Sequence, residues 1–299
     1  MEPARVLSIQ SHVVRGYVGN KSATFPLQLL GFEVDAINSV QLSNHTGYEH
    51  FQGQILDEND LEVLFNSLRK NNLLHYSHLL TGYIGSPSFL QKVASAVKEL
   101  KSINPKLRYV CDPVMGDDGK MYVPESLLPI YKETILPLAD VITPNQYELE
   151  LLSGRSITSV DDAWSAIESF HSKGCQTVIV SSSTLGKSNE LIALASTKKD
   201  GRITRVNISI PKLDAHFVGS GDLFAALMMA WLYKTDDDIQ KSLDNTIHSL
   251  QAVLTRTLSH ALVLSKGDRP TPEQMELQLI QSKSDIESPS PVVRSSIVE

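Results

Sequence analysis

Short runs of apolar and β-branched residues alternate along this chain with longer stretches of helical spacing. That is the pattern of a largely parallel sheet joined by crossover helices. Strands are predicted over 5–10, 33–39, 78–82, 108–112, 140–143, 177–182, 191–196 and 203–210. Most are apolar on both faces, as strands buried inside a parallel sheet are. Helices are predicted over 23–30, 60–71, 87–101, 145–152, 160–173, 221–233, 239–258 and 273–282. Leu61, Val63, Leu64 and Leu68 give the second of these one apolar face suited to packing on a sheet. No internal repeat or low-complexity linker divides the chain, so one α/β domain over 1–299 is expected. Residues 284–299, rich in Ser, Pro and charge, are expected as a loosely held tail.

Composition narrows the function classes. With 41% hydrophobic and 20% charged residues, the 299-residue chain has ordinary globular proportions and can bury a sizeable core. A formal charge of −7 speaks against broad nucleic-acid binding, which needs a basic face to neutralise phosphates. The two cysteines, Cys111 and Cys175, have no metal or disulfide spacing and read as buried small apolar residues in a reducing compartment. The start of the chain has no basic segment leading into a long apolar stretch. The longest strongly apolar run, 223–233, has eleven residues, where a membrane span needs about 20. A soluble, cytoplasmic protein is expected.

In open α/β sheets, ligands gather at the carboxyl ends of the parallel strands, so polar motifs at strand-to-loop junctions carry the most weight. Gly219-Ser220-Gly221-Asp222 immediately precedes a stretch apolar on every side. Its glycines allow a tight turn that presents backbone N–H groups, and the N-terminus of a buried helix behind them attracts an anion where water screens it little. A carboxylate beside an anion site suits a general base, and Asp222 is equally readable as a helix cap. In Thr143-Pro144-Asn145-Gln146-Tyr147-Glu148, Asn145 and Glu148 share one face of a first helical turn. Glu148 there could approach a divalent metal, or close a capping box with Asn145. Asp112 ends an apolar strand and leads into the acidic, glycine-bearing loop 116–121. Polar segments 8–12 and 43–48 follow buried strands and suit hydrogen bonding to a small polar ring. Gly19-Asn20-Lys21-Ser22 lacks Walker A spacing, and 45–50 lacks a zinc-ligand constellation; neither is assigned a role.

Taken together, Gly219-Ser220-Gly221-Asp222 and Thr143-Pro144-Asn145-x-x-Glu148 resemble the ribokinase-like superfamily. Runs 6–20, 38–48, 80–83 and 110–117 resemble its pyridoxal kinase family, over nearly the whole chain. The resemblance implies a central, mostly parallel sheet with helices on both faces, usually as a homodimer. It implies ATP-dependent phosphorylation of the 5′-hydroxymethyl group of pyridoxal, pyridoxine and pyridoxamine, with Mg²⁺ (or another divalent metal such as Zn²⁺) and K⁺. By this similarity Asp222 is the base. Ser11, Val40, His45, Thr46, Tyr83 and Gly219 lie by the vitamer. Asp112, Asn145, Glu148, Ser181, Ser182, Leu213, Asp214, Ala215 and Ser220 line the ATP site. Gly219, Ser220 and Gly221 form the anion hole, with Asp117 and Glu148 near the divalent metal and Thr143 near K⁺. Ser220 stands where many members carry threonine, which keeps the hydroxyl. The 116–121 loop is shorter than in mammalian members, which bears on lid closure and nucleotide affinity. Two alternatives remain at this point: a hydroxymethylpyrimidine or sugar kinase of the same fold, and a catalytically silent vitamer-binding protein.

Overall fold

In the computed structural model, which describes residues 4–298, a ten-stranded sheet runs through the molecule. Its strands are β1 (Arg5–Val13), β2 (Glu33–Leu42), β3 (Gly53–Ile55), β4 (His78–Thr81), β5 (Arg108–Cys111), β8 (Val141–Ile142), β9 (Thr177–Ser183), β10 (Glu190–Lys199), β11 (Arg202–Pro211) and β12 (Ser296–Val298). A separate two-stranded hairpin consists of β6 (Gly116–Asp117) and β7 (Lys120–Met121). Spatial order in the large sheet is β12-β11-β10-β9-β8-β5-β4-β1-β2-β3. The six strands from β9 across to β2 pair in parallel, and β3 at one edge and β10 to β12 at the other are antiparallel. Because β1 is followed in sequence by its neighbour on one side and flanked on the other by β4, the chain changes direction across the sheet there. The carboxyl ends around β1 and β4 are therefore where the fold opens a crevice.

Helices cover both faces. On one face α2 (Glu58–Lys70), α3 (Pro87–Ile103), α4 (Leu127–Ile130), α5 (Gln146–Ser153) and α6 (Val160–Ser172) pack through Leu61, Phe65, Phe89, Val93, Val97, Trp164 and Phe170. On the other, α1 (Asn20–Leu29), α7 (Ser220–Lys234) and α8 (Ile239–Ser265) pack through Ala23, Leu27, Phe224, Met228, Leu243 and Ile247. Every residue from Leu223 to Leu232 is buried, as an all-round apolar sequence requires. The eight predicted strands and six of the eight predicted helices occur within a few residues of their expected bounds, and α8 starts where expected but runs on to Ser265, seven residues past 258.

The eighth helix does not form. Residues 272–275 make a turn, 276–278 are irregular, and only Ile280–Ser282 form a 3-10 turn leading into α9 (Lys283–Glu287). Leu277 and Leu279, two apart, are both buried, a spacing that an extended segment satisfies and a helix does not. The stretch expected as a loose tail has definite partners in its described part. Ile286 is fully buried, Ser249 Oγ donates to Asp285 O, Arg256 pairs with Asp285, and Ser295 N donates to Asp244 Oδ1. Strand β12 then adds to β11. Glu299, like residues 1–3 of the expected domain, lies outside the described residues.

Candidate active site

The crevice is built by irregularities in the sheet as much as by its loops. Between β1 and β2 the register shifts, with Gln10 opposite Asn38 but Ser11 opposite Val40, so that Ser39 is an extra residue. Such a bulge re-aims the side chains beyond it. Ser11 and Val40, both buried, sit directly after it, and Ser39 Oγ donates to Tyr83 O. A second bulge puts Ser181 and Ser182 opposite Ala193, between the Ser183–Ile192 and Val180–Leu194 pairs. Ser181 N also donates to Pro144 O at 2.9 Å, tying the end of β9 to the turn after β8.

The Gly219 turn joins these pieces. Gly219 has φ 84°, and a Cβ there would run into the Tyr17 carbonyl oxygen, so both conformation and space demand glycine. No side chain caps α7, which leaves the N–H groups of its first turn available to an anion. Ser220 Oγ donates to Phe217 O at 3.2 Å. Asp222 is half-buried; burial raises its carboxyl to about 6, with the nearby Gly19 N–H opposing the shift. Gly47, next to Thr46, lies beside Val218, which brings the 45–48 turn against the Gly219 turn.

Two further carboxylates stand behind this helix terminus. Asp112 is buried at the end of β5, accepts the Thr143 hydroxyl at 3.2 Å, and has Oδ2 facing Gly221. Burial first, then the charges of Glu148 and Asp222, hold Asp112 well above the ordinary carboxylate range. Glu148 is also buried; Oε2 accepts Asn145 N at 2.9 Å and Oε1 accepts Met115 N at 2.8 Å and Gly116 N at 3.4 Å. Asn145 Oδ1 returns a bond to Glu148 N, so the capping box at the start of α5 is formed. Burial nevertheless pushes Glu148 up to about 7 against these backbone donors. The box also anchors the short hairpin, because Asn145 Nδ2 donates to Gly116 O at 2.7 Å. In that hairpin Asp118 and Gly119 both have positive φ, as a tight two-residue turn requires. Asp117 is exposed on it, with Oδ1 taking the Asp118 N–H.

The remaining expected residues lie on loops and differ in exposure. Leu213 and Ala215 are half-buried and Asp214 exposed in the loop after β11, Thr46 is exposed, and Tyr83 is half-buried after β4. His45 is buried, with Nδ1 accepting Gly47 N at 3.1 Å. Two residues of the crevice escaped the sequence reading. Gly19 lies in the run 6–20 that carries the resemblance but has no role assigned by it, and its N–H lies near Asp222. Glu276 contacts His45, Tyr48 and Tyr17 from a segment expected to be helical. No local motif marks either residue.

The family model described as phosphomethylpyrimidine kinase matches residues 31–272. Human pyridoxal kinase is 51% identical over 310 aligned positions covering 99% of each chain, and the Arabidopsis thaliana pyridoxal kinase is 48% identical over 96% of this chain and 93% of its own. The chain belongs to the pyridoxal kinase family. Its fold matches that of Leishmania donovani pyridoxal kinase in complex with ADP and pyridoxamine, with a TM-score of 0.91, 35% identity and 99% of each chain covered. A Plasmodium falciparum structure with AMP-PNP and PL matches with a TM-score of 0.87 at 27% identity, over the whole of both chains. The expected ribokinase-like architecture is thus the observed one.

Proposed function

We propose that the protein transfers the γ-phosphoryl group of ATP to the 5′-hydroxymethyl oxygen of pyridoxal, and of pyridoxine and pyridoxamine. The observation that carries this reading is the convergence of Asp222, the uncapped and partly exposed N-terminus of α7, and the neighbouring Ser11–Gly19 and His45–Gly47 segments. Family membership, with relatives whose structures hold ADP and vitamers, supports the choice of substrates. In the reaction, ionised Asp222 accepts the hydroxyl proton as the substrate oxygen bonds to phosphorus and the bond from phosphorus to the ADP oxygen breaks. The uncapped backbone N–H groups of Gly219, Ser220 and Gly221 would stabilise the charge on the transferring group. The Gly19 N–H favours the ionised form of Asp222.

The ATP side is assigned to Asp112, Asn145, Ser181, Ser182, the 213–215 loop and Ser220. Among the described residues no three His, Cys, Asp or Glu side chains form a self-sufficient metal cluster. The charges of Glu148 and Asp222 do raise the cost of charging Asp112, and a divalent cation accompanying the nucleotide would lower that cost. Mg²⁺, or Zn²⁺ in its place, would be held near Asp112 together with the nucleotide phosphates. It would supply charge neutralisation on the phosphates. Both Glu148 oxygens already hold backbone N–H groups, so Glu148 would act on the metal through its field or through water. Asp117, on the exposed hairpin, is assigned to the same side. A K⁺ near Thr143 and a homodimer rest on the family resemblance. A cytoplasmic location fits the two free, buried cysteines. Among the described residues no helix is long and apolar enough to cross a membrane.

The test is steady-state turnover with ATP and each candidate alcohol, including a hydroxymethylpyrimidine because the matched family model carries that name. A kcat/KM for pyridoxal above that for the pyrimidine supports the reading. Preference for the pyrimidine reverses the substrate assignment, and turnover of neither makes this a silent binding protein.

A further inference from the structure

Three hydrogen-bond donors from two separate loops converge on one side chain far away in the sequence. Glu276 Oε1 accepts the Tyr48 hydroxyl at 2.9 Å and lies 3.4 Å from His45 Nε2, while Oε2 accepts the Tyr17 backbone N–H at 2.9 Å. His45 Nδ1 is already the acceptor for Gly47 N–H, so the ring proton is on Nε2 and points at Glu276. The ring of His45 packs against that of Tyr48 with centroids 4.8 Å apart. The first loop makes room for the carboxylate through Gly16, at φ 94°, where any Cβ would run into it.

The backbone around Glu276 is fixed from the opposite side. Leu277 and Leu279 are buried in the core, and Gln278 N donates to Thr257 Oγ1 of α8 at 3.0 Å. The carboxylate is thus held at one place while both loops hang from it. One loop, 15–19, ends in the Gly19 N–H near Asp222; the other, 45–48, lies against Val218 of the Gly219 turn. Burial works to raise Glu276, but the bonds from His45, Tyr48 and Tyr17 outweigh it and keep the group below its ordinary range.

We infer that Glu276 is a positioning residue for the phosphoryl acceptor, holding the 15–19 and 45–48 loops together so that the vitamer's hydroxymethyl group meets Asp222. This rests on the kinase reading above, with His45 and Thr46 at the vitamer. A carboxylate is the side chain the geometry calls for, because all three partners donate and only an ionised carboxyl accepts at both ends with no hydrogen of its own. In Glu276→Gln the amide N–H₂ faces either the Tyr17 N–H or the His45 Nε2–H, and one bond to a charged acceptor becomes a clash of donors. Such a bond contributes about 1.5–3 kcal/mol, so the expected effect is a rise in pyridoxal KM of about tenfold or more. The KM for ATP should stay within about twofold, because none of the three bonds touches the nucleotide side.

The experiment compares wild type, Glu276→Gln, Tyr48→Phe and Glu168→Ala with pyridoxal and ATP varied in turn. Glu168 of α6 pairs with Arg205 of β11, outside both loops, and serves as the control expected to behave as wild type. A selective rise in vitamer KM for Glu276→Gln, with a smaller one for Tyr48→Phe, supports the inference. A vitamer KM within twofold of wild type in Glu276→Gln overturns it, as does a parallel rise in both KM values, which would mean a general loss of structure. If Glu276→Gln does not fold, Tyr48→Phe decides alone, and an unchanged vitamer KM there overturns the inference. Failure of wild type to phosphorylate pyridoxal would instead defeat the underlying kinase reading and is told apart by that first measurement.

Discussion

Replacing Asp222 with Asn isolates the proton-accepting role, because the amide oxygen can still face the Gly19 N–H and the side-chain volume barely changes. What is lost is the basic lone pair. A positioned general base contributes about 10²–10⁴ in rate, so kcat should fall about 10²-fold or more, a barrier increase of about 3 kcal/mol or more. Vitamer KM should move little, since the exchange removes a transition-state interaction and leaves ground-state contacts in place. The pH profile gives a second, independent readout. Burial raises Asp222 to about 6, and only its ionised form can accept the proton. Wild-type kcat/KM should therefore climb with pH through an inflection near that value. In the variant the acid limb attributable to this group should vanish. The assay is initial rate from pH 5 to 8, followed by pyridoxal phosphate absorbance at saturating ATP. Near-normal turnover by Asp222→Asn, or an acid limb unchanged in it, would refute the assignment of the base.

The other expectations concern the frame around that base. Glu148 holds its proton more tightly folded than unfolded, at about 7 against the usual 4.5. The folded chain therefore carries the extra proton across that window and loses stability as pH rises through it, by on the order of 1–3 kcal/mol. Thermal unfolding of the ligand-free protein should show this fall, and Glu148→Gln should flatten it; an equally steep fall in the variant would assign the slope elsewhere. Gly219→Ala should cut turnover at least about tenfold and lower the unfolding temperature, since it meets the Tyr17 carbonyl in a left-handed conformation costing about 1–2 kcal/mol for an L residue. Wild-type behaviour would show that the turn can relax. Cys111 and Cys175 are buried and pushed up to about 12 by desolvation, so a thiol reagent at pH 8 should label them only on unfolding. Rapid labelling of the native protein would contradict this.

Much of this architecture was legible because its elements are extreme cases of their type. The strands around Val6–Ile9 and Tyr109–Cys111 are buried on both faces, and helix α7 is apolar all round, so periodicity and burial agree. The Gly219 turn was legible because two glycines before such a helix serve little purpose other than a backbone approach. Less visible were features set by contacts distant in sequence. The hairpin of β6 and β7 has two residues per strand, too few for any alternation to register, and only Asp118-Gly119 hints at its turn. The stretch 273–282 reads as helical by composition, yet Leu277 and Leu279 pack two apart and Gln278 is claimed by Thr257 of α8. Glu276 owes its importance to Tyr48, 228 positions away, a pairing that only the folded sheet creates. For Asn145 and Glu148 the two sequence readings are not exclusive. The capping box forms, and it holds a buried carboxylate beside Asp112.

The most direct test of the central claim is the phosphorus NMR spectrum of the product formed from ATP and pyridoxal by the purified wild-type protein, recorded with its proton couplings. A new monoester signal coupled to the protons of the 5′-methylene group, growing as ADP appears, is the expected result. ADP formation without that signal, or no consumption of ATP in the presence of pyridoxal, would contradict it.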